Sequence, residues 1–156
     1  MHISKFISVD FQKEFTTPNG KWYNPGESVN FIKNILIPYF EKHNIKINEI
    51  ISDYRQPRPG DSGDGCYPGD ENYESEIPSY VKNNDVRIKC MNSPIWVREN
   101  IGVSDKEPGL PYQDPESFSQ RLNKNIGTLQ EIDEIVLIGL TIDRYIFATA
   151  QELKRR

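Results

Sequence analysis

The sequence predicts a doubly wound, Rossmann-like α/β fold of three layers, a parallel sheet flanked by helices, in one domain spanning 1–156. Three observations predict it. Short apolar runs alternate along the chain with stretches of helical periodicity, the pattern of a parallel sheet covered on both faces. Residues 136–150, VLIGLTIDRYIFATA, carry a buried-strand run directly into a helix. The length of 156 residues lets a single domain bury a real core, roughly 68–70% of its unfolded surface.

The elements follow in order. Lys5–Phe11 (KFISVDF) reads as a first strand that ends in an acid. Ser28–His43 places Val29, Ile32, Ile35, Leu36, Tyr39 and Phe40 at helical spacing, and Pro38 is expected to kink or shorten that helix because it has no N–H to give. Glu49–Tyr54 (EIISDY) is a second strand, again ending in an acid, and Val86–Met91 (VRIKCM) a third, with Ile95–Val97 continuing apolar beyond a break at Pro94. Asp114-Pro115-Glu116 marks a helix start: an acid at the cap, proline at the first helical position and a second acid in the first turn. That helix should reach about Lys124. Glu134–Leu140 is the fourth strand, read as a central one from its unbroken apolar run, and the last helix starts near Asp143.

Two stretches fit no regular element. Residues 55–78 combine proline, glycine and acids over a length uncommon for a structureless loop. They read either as a solvated surface excursion or as a functional loop. Residues 99–113 form a shorter excursion able to close over the crevice at the carboxyl ends of the strands.

Charge narrows the function. With 19 basic against 23 acidic residues and a net charge of −4, and no basic cluster longer than Lys154-Arg155-Arg156, the chain lacks the electrostatic footprint of a nucleic-acid or anionic-membrane binder. The opening MHISKFISVDF has neither the layout of a signal peptide nor the length of a membrane span. Cys66 and Cys90 stand far apart in sequence, which suits a reducing, cytoplasmic setting.

In a doubly wound sheet ligands sit at the carboxyl ends of the strands. Asp10 closes the first strand and Lys89 lies near the end of the third, while Asp143, Arg144 and Tyr145 stand where the last helix begins. Alone, Asp10 or Lys89 is a strand-end charge reaching solvent. Brought together, they would shift each other's proton affinity in opposite directions. We therefore expect Asp10, Lys89 and Tyr145 to line one crevice.

These residues, together with ISVDFQKEF at 7–15, SDYRQPRPGD at 52–61, KCMNSPIWVREN at 89–100 and IGLTIDRYIFATAQEL at 138–153, make the chain resemble the isochorismatase-like cysteine hydrolases, which include nicotinamidases and carbamoyl-amide hydrolases. The resemblance implies a catalytic Asp after the first strand, a Lys on the third, and a Cys opening the helix after the fourth, in a motif close to G-x-x-T-x-x-C-V-x-x-T-A. Asp10 matches the Asp, Lys89 the Lys, and Thr149-Ala150 the closing pair. The nucleophile position falls on Tyr145.

That departure matters because the family chemistry needs a thiolate, made acidic by a helix N-terminus and neighbouring charge. Tyrosine ionises near pH 10 and is a poor acyl-transfer nucleophile. Cys90, next to Lys89 on a strand, should face the other way, and Cys66 lies in the long loop. Nicotinamidase-type members also bind a metal through an Asp and histidines after the second strand. Here that stretch reads Ser52-Asp53-Tyr54-Arg55, and the histidines are only His2 and His43, so no metal and no cofactor is expected.

The resemblance thus implies a degenerate hydrolase acting as a binding or assembly subunit, with a small carbonyl or anionic ligand. The alternative is a Cys-independent hydrolase of the isochorismatase type, whose members carry Gly at the nucleophile position and use the Asp as general acid on a vinyl ether. The family usually continues with further strands after the last helix. An unpaired sheet edge is therefore expected, covered by a second copy or a complementing chain.

Overall fold

In a computed structural model, which describes residues 4–128 and 134–156, four strands form one parallel sheet in the order β3-β2-β1-β6. They are β1 (Ser4–Val9), β2 (Asn48–Ser52), β3 (Arg87–Lys89) and β6 (Glu134–Gly139). The register pairs Val9 with Ile50 on one side and with Gly139 on the other, and Ser52 with Lys89. The ends of all four strands are thereby brought level, which is what places a site there. Phe40 packs on Phe6 on one face, with ring centroids 4.9 Å apart. On the other face Phe118 and Leu122 sit over Ile7 and Ile50. Helices therefore cover both faces, as predicted.

The predicted 28–43 helix is realised as α2 (Glu27–Phe31), a single wider π-type turn Ile32–Leu36, and α3 (Ile37–Lys42). Pro38 falls in the first turn of α3, where its missing N–H is one that the helix can do without. The helix therefore continues past the proline by changing its hydrogen-bond register. α4 (Pro115–Asn125) is capped as expected: Asp114 Oδ1 accepts from Ser117 N–H at 3.0 Å. The last helix opens with a second π-type turn, Ile142–Ile146, and continues as α5 (Phe147–Lys154). Its end is tied to α4, with Arg156 Nε donating to Ser119 Oγ at 2.6 Å and Nη2 to Pro115 O at 3.0 Å.

Three expectations are corrected. β1 stops at Val9, because Asp10 takes a left-handed backbone with φ of 55°, and a short helix, α1 (Lys13–Thr16), follows. Ile95–Val97 does not extend the main sheet. Instead β4 (Trp96–Val97) pairs antiparallel with β5 (Tyr112–Gln113). β6 has a neighbour on only one side among the described residues. The 55–78 stretch is not a solvated excursion. It is bridged to the body at Tyr54–Gly65 and Gln12–Ser75, and it buries Arg58, Cys66 and Ile77 in or against the core. No helix among the described residues is long and apolar enough to cross a membrane.

Candidate active site

Asp10 and Lys89 meet behind the strand ends. Lys89 Nζ donates to Asp10 Oδ2 at 3.0 Å, and both side chains are 0% exposed. The ammonium also donates to Ser52 Oγ at 2.8 Å, to the Tyr54 hydroxyl and to Met91 O at 3.2 Å. Ser52 Oγ in turn donates to Asp10 Oδ1 at 2.6 Å, so each buried charge has several partners. Such saturation is what makes a buried pair tolerable, because desolvation is offset only by good geometry and full hydrogen bonding. The left-handed turn at Asp10 is held by its N–H donating to Ile50 O at 2.9 Å. Ser52 itself is fixed from both sides by Gln12, whose Oε1 accepts from Ser52 N–H at 2.9 Å and whose Nε2 donates to Ser52 O at 3.0 Å.

Burial drives both charges toward neutrality. It holds the Asp10 carboxyl above its ordinary range against the opposing pull of Lys89 and Ser52. It lowers Lys89 against the pull of Asp10. The structure thus brings two of the three predicted residues into contact.

Tyr145, the third, joins them through its ring. Lys89 Nζ lies 4.6 Å from the centroid of Tyr145 and 4.6 Å from that of Tyr54, a desolvated ammonium over two aromatic faces. The Tyr145 ring also packs on Tyr54 at 5.6 Å and on Phe15 at 5.7 Å. Its other side faces a cavity of about 690 Å³ lined by Phe15, Trp22, Asn24, Thr141 and Arg144 among others. Neither Asp10 nor Lys89 is part of the described wall of that cavity. Tyr145, only 9% exposed, therefore stands between the charge pair and the space where a ligand fits.

Burial, reinforced by Asp10, pushes the Tyr145 phenol up to about 12. A phenol with a raised folded value keeps its proton where the unfolded chain has lost it. The associated stability is complete below pH 10, the unfolded value, and disappears as pH rises from 10 to 12. We expect Tyr145→Phe to remove at most about 3 kcal/mol of alkaline destabilisation over that window, measured by urea unfolding at fixed pH values. Equal pH slopes in the two proteins would refute the assignment.

The stretch matched to a metal site is occupied by cations of the chain itself. Asp53 Oδ2 accepts from Arg55 Nη2 at 2.7 Å and from Gly102 N–H at 2.8 Å, Oδ1 accepts from Arg55 Nε at 2.9 Å, and Arg98 Nη2 lies 3.6 Å from Oδ1. Both carboxylate oxygens are thus engaged by guanidinium and amide donors, and a divalent cation has no open donor set there. Among the described residues no group of three or more His, Cys, Asp and Glu side chains stands where it could hold a metal ion. His43 lies at the far end of α3 against Tyr39, and His2 lies outside the described residues.

Neither cysteine offers a thiolate. Both are free and buried. Burial pushes the Cys66 thiol well above its ordinary range and the Cys90 thiol to about 11. Cys66 is nonetheless part of the core, its N–H donating to Glu14 Oε2 at 2.9 Å, and not a flexible-loop residue.

Sequence reading missed Ser52, Tyr54, Arg58 and Trp22 as members of the site. Arg58 lies over the Tyr54 ring at 3.9 Å, and Trp22 packs on the same ring at 5.9 Å. The period-2 alternation in Glu49–Tyr54 does put Ser52 and Tyr54 on one face, the signal that would have found two of them.

No known family profile and no curated protein matches the chain. Solved structures do. N-carbamoylsarcosine amidase from Thermoplasma acidophilum aligns at 20% identity and a TM-score of 0.60, over 99% of this chain and 78% of that one. A nicotinamidase/pyrazinamidase from Bacillus subtilis aligns at 16% identity and 0.61, over 99% and 80%. The pyrazinamidase of Pyrococcus horikoshii, solved in complex with zinc, aligns at 16% identity and 0.57, over 97% and 78%. At these identities the likeness is one of architecture: the chain has the isochorismatase-like α/β fold.

Proposed function

We propose that this chain is a single-domain, cytosolic ligand-binding or assembly subunit on an isochorismatase-like hydrolase fold that has lost thiol-based amide hydrolysis. The observation that carries the reading is Tyr145. It takes the position the resemblance gives to a nucleophile, holds a neutral phenol, and walls the Asp10–Lys89 pair off from the cavity. A ligand in the cavity meets aromatic surface from Phe15, Trp22 and Tyr145, the amide of Asn24, and the guanidinium of Arg144, with the Asp143 carboxylate on the same wall. That lining suits a small planar carbonyl compound or carboxylate, with the ring on the aromatic wall and the charge near Arg144.

The second reading uses Asp10 as a general acid. Its support is that burial holds the carboxyl above the ordinary range, the condition a proton donor near neutral pH requires. It needs Tyr145 to leave its place, since a substrate in the cavity does not otherwise reach Asp10.

Isothermal titration with benzoate, and incubation with benzamide and with an aryl 1-carboxyvinyl ether, separate the two readings. We expect saturable benzoate binding weakened at least about tenfold by Arg144→Ala, one lost charge-assisted contact. We also expect no benzamide hydrolysis, and no adduct by mass spectrometry with benzonitrile. Turnover of benzamide or of the vinyl ether abolished by Asp10→Asn would overturn the proposal, as would an adduct on Cys66 or Cys90. Absence of benzoate binding would remove the small-ligand half of it.

A further inference from the structure

We propose that β6 and the exposed flank of the α2–α3 helix form a self-complementary surface on which a second copy of this chain docks, the two β6 strands pairing antiparallel across a two-fold axis.

The strand edge is the first observation. Leu140 N–H donates to Val9 O at 3.0 Å, so the even-numbered residues of β6 turn their backbone groups toward β1. In a strand the backbone groups of neighbouring residues alternate sides, so those of Ile135, Leu137 and Gly139 point away from the sheet. Among the described residues no strand takes them up. Natural edge strands are usually guarded by a charge, a proline or a bulge. From Ile135 to Gly139 this one has none, and Ile135, Val136 and Leu137 are only partly buried against the core.

The second observation is a stripe on the neighbouring helix. Phe31, Ile35 and Tyr39 recur at intervals of four residues and are 51%, 56% and 47% exposed, on a helix whose Val29, Ile32 and Phe40 are buried. On the opposite flank Lys33 pairs with Glu76, in the segment that leads to β3. The apolar stripe therefore lies on the flank that looks toward β6. The first turn of α2 confirms the proximity, since Ser28 lines the same cavity as Gly139 and Leu140.

A second copy is the occupant that these features fit. An antiparallel pairing of Ile135–Gly139 with its own image sets an uncharged run against an uncharged run, with Glu134 at the start of each strand left at the rim of the paired segment. It extends the sheet from four strands to eight and satisfies the outward backbone groups of both copies. Three half-exposed large side chains contribute ~100 Å² each, and the strand edge brings the total to ~500 Å² per copy. The pair then buries ~1,000 Å², the level at which specific association begins. An interface at this low end of the size range is weak, so association is sought at micromolar and higher concentration.

Analytical ultracentrifugation of the 156-residue chain from 1 to 100 µM tests this, without reference to any ligand in the cavity. The expected result is a reversible shift toward twice the 18.1 kDa chain mass. The double variant Phe31→Lys/Ile35→Lys, both on the exposed stripe, should weaken association at least 30-fold with an unchanged far-UV spectrum. Amide exchange at Ile135, Leu137 and Gly139 should be slow in the dimer and speed up on dilution. A monomer at 100 µM overturns the proposal, as does a dimer indifferent to the lysine pair. So does a β6 edge that takes up strands of other chains while two copies of this one stay apart.

Discussion

Lys89→Met should destabilise the folded chain by about 3–5 kcal/mol, because it leaves the Asp10 carboxylate without its cation in a place water does not reach. Lys89 and Asp10 are each 0% exposed, and what remains around the carboxylate is Ser52 Oγ at 2.6 Å and the Tyr54 hydroxyl at 3.5 Å. Two neutral donors soften the loss without replacing a charge. Removing both charges is gentler than removing one. Asp10→Asn/Lys89→Met should be less damaged than the sum of its single variants, with a coupling of order 1–3 kcal/mol. Urea unfolding with an unchanged denaturant slope is the measurement. A loss under 1 kcal/mol for Lys89→Met would mean that Asp10 is already protonated in the folded chain and makes no ion pair.

The same pair illustrates what was legible in the sequence. Asp10, Lys89 and Tyr145 were readable because each follows or ends an apolar run, and the ends of parallel strands converge whatever the details between them. The cap at Asp114 was readable because its chemistry is local. Strand order is not local. β6 is as apolar as a central strand and has one neighbour in the described sheet, because an apolar run records two covered faces and does not say what lies beside the strand. Residues packed around the site were hidden for a related reason. Arg58 and Cys66 belong to a stretch whose composition is that of a surface loop, and only long-range contacts show it folded back beneath the site. Pro38 misled in the opposite direction. A local rule for breaking a helix was absorbed by one π-type turn.

Gly139→Ala should abolish stable folding, at a cost of at least about 4 kcal/mol, the range reserved for changes the backbone has no means to absorb. Gly139 has a φ of +123°, which L side chains rarely adopt, and a Cβ there would stand 1.9 Å from Val9 O and 3.0 Å from Val9 N. These are backbone atoms of the adjacent strand, so no rotamer change relieves the contact. β1 and β6 would have to separate. They would do so where the chain leads to Asp10 on one strand and into the helix carrying Tyr145 on the other, so site and fold fail together. Gly127→Ala provides the control: its φ is +101° but a Cβ would meet nothing within 4 Å, so only the backbone preference is lost, roughly 1–2 kcal/mol. The expected pair of results is a cooperative, slightly shifted unfolding curve for Gly127→Ala and no cooperative transition for Gly139→Ala. A Gly139→Ala chain that unfolded cooperatively within 1 kcal/mol of the parent would show that β1 and β6 are not held this close, and the wall that Tyr145 makes between the charge pair and the cavity would lose its fixed position.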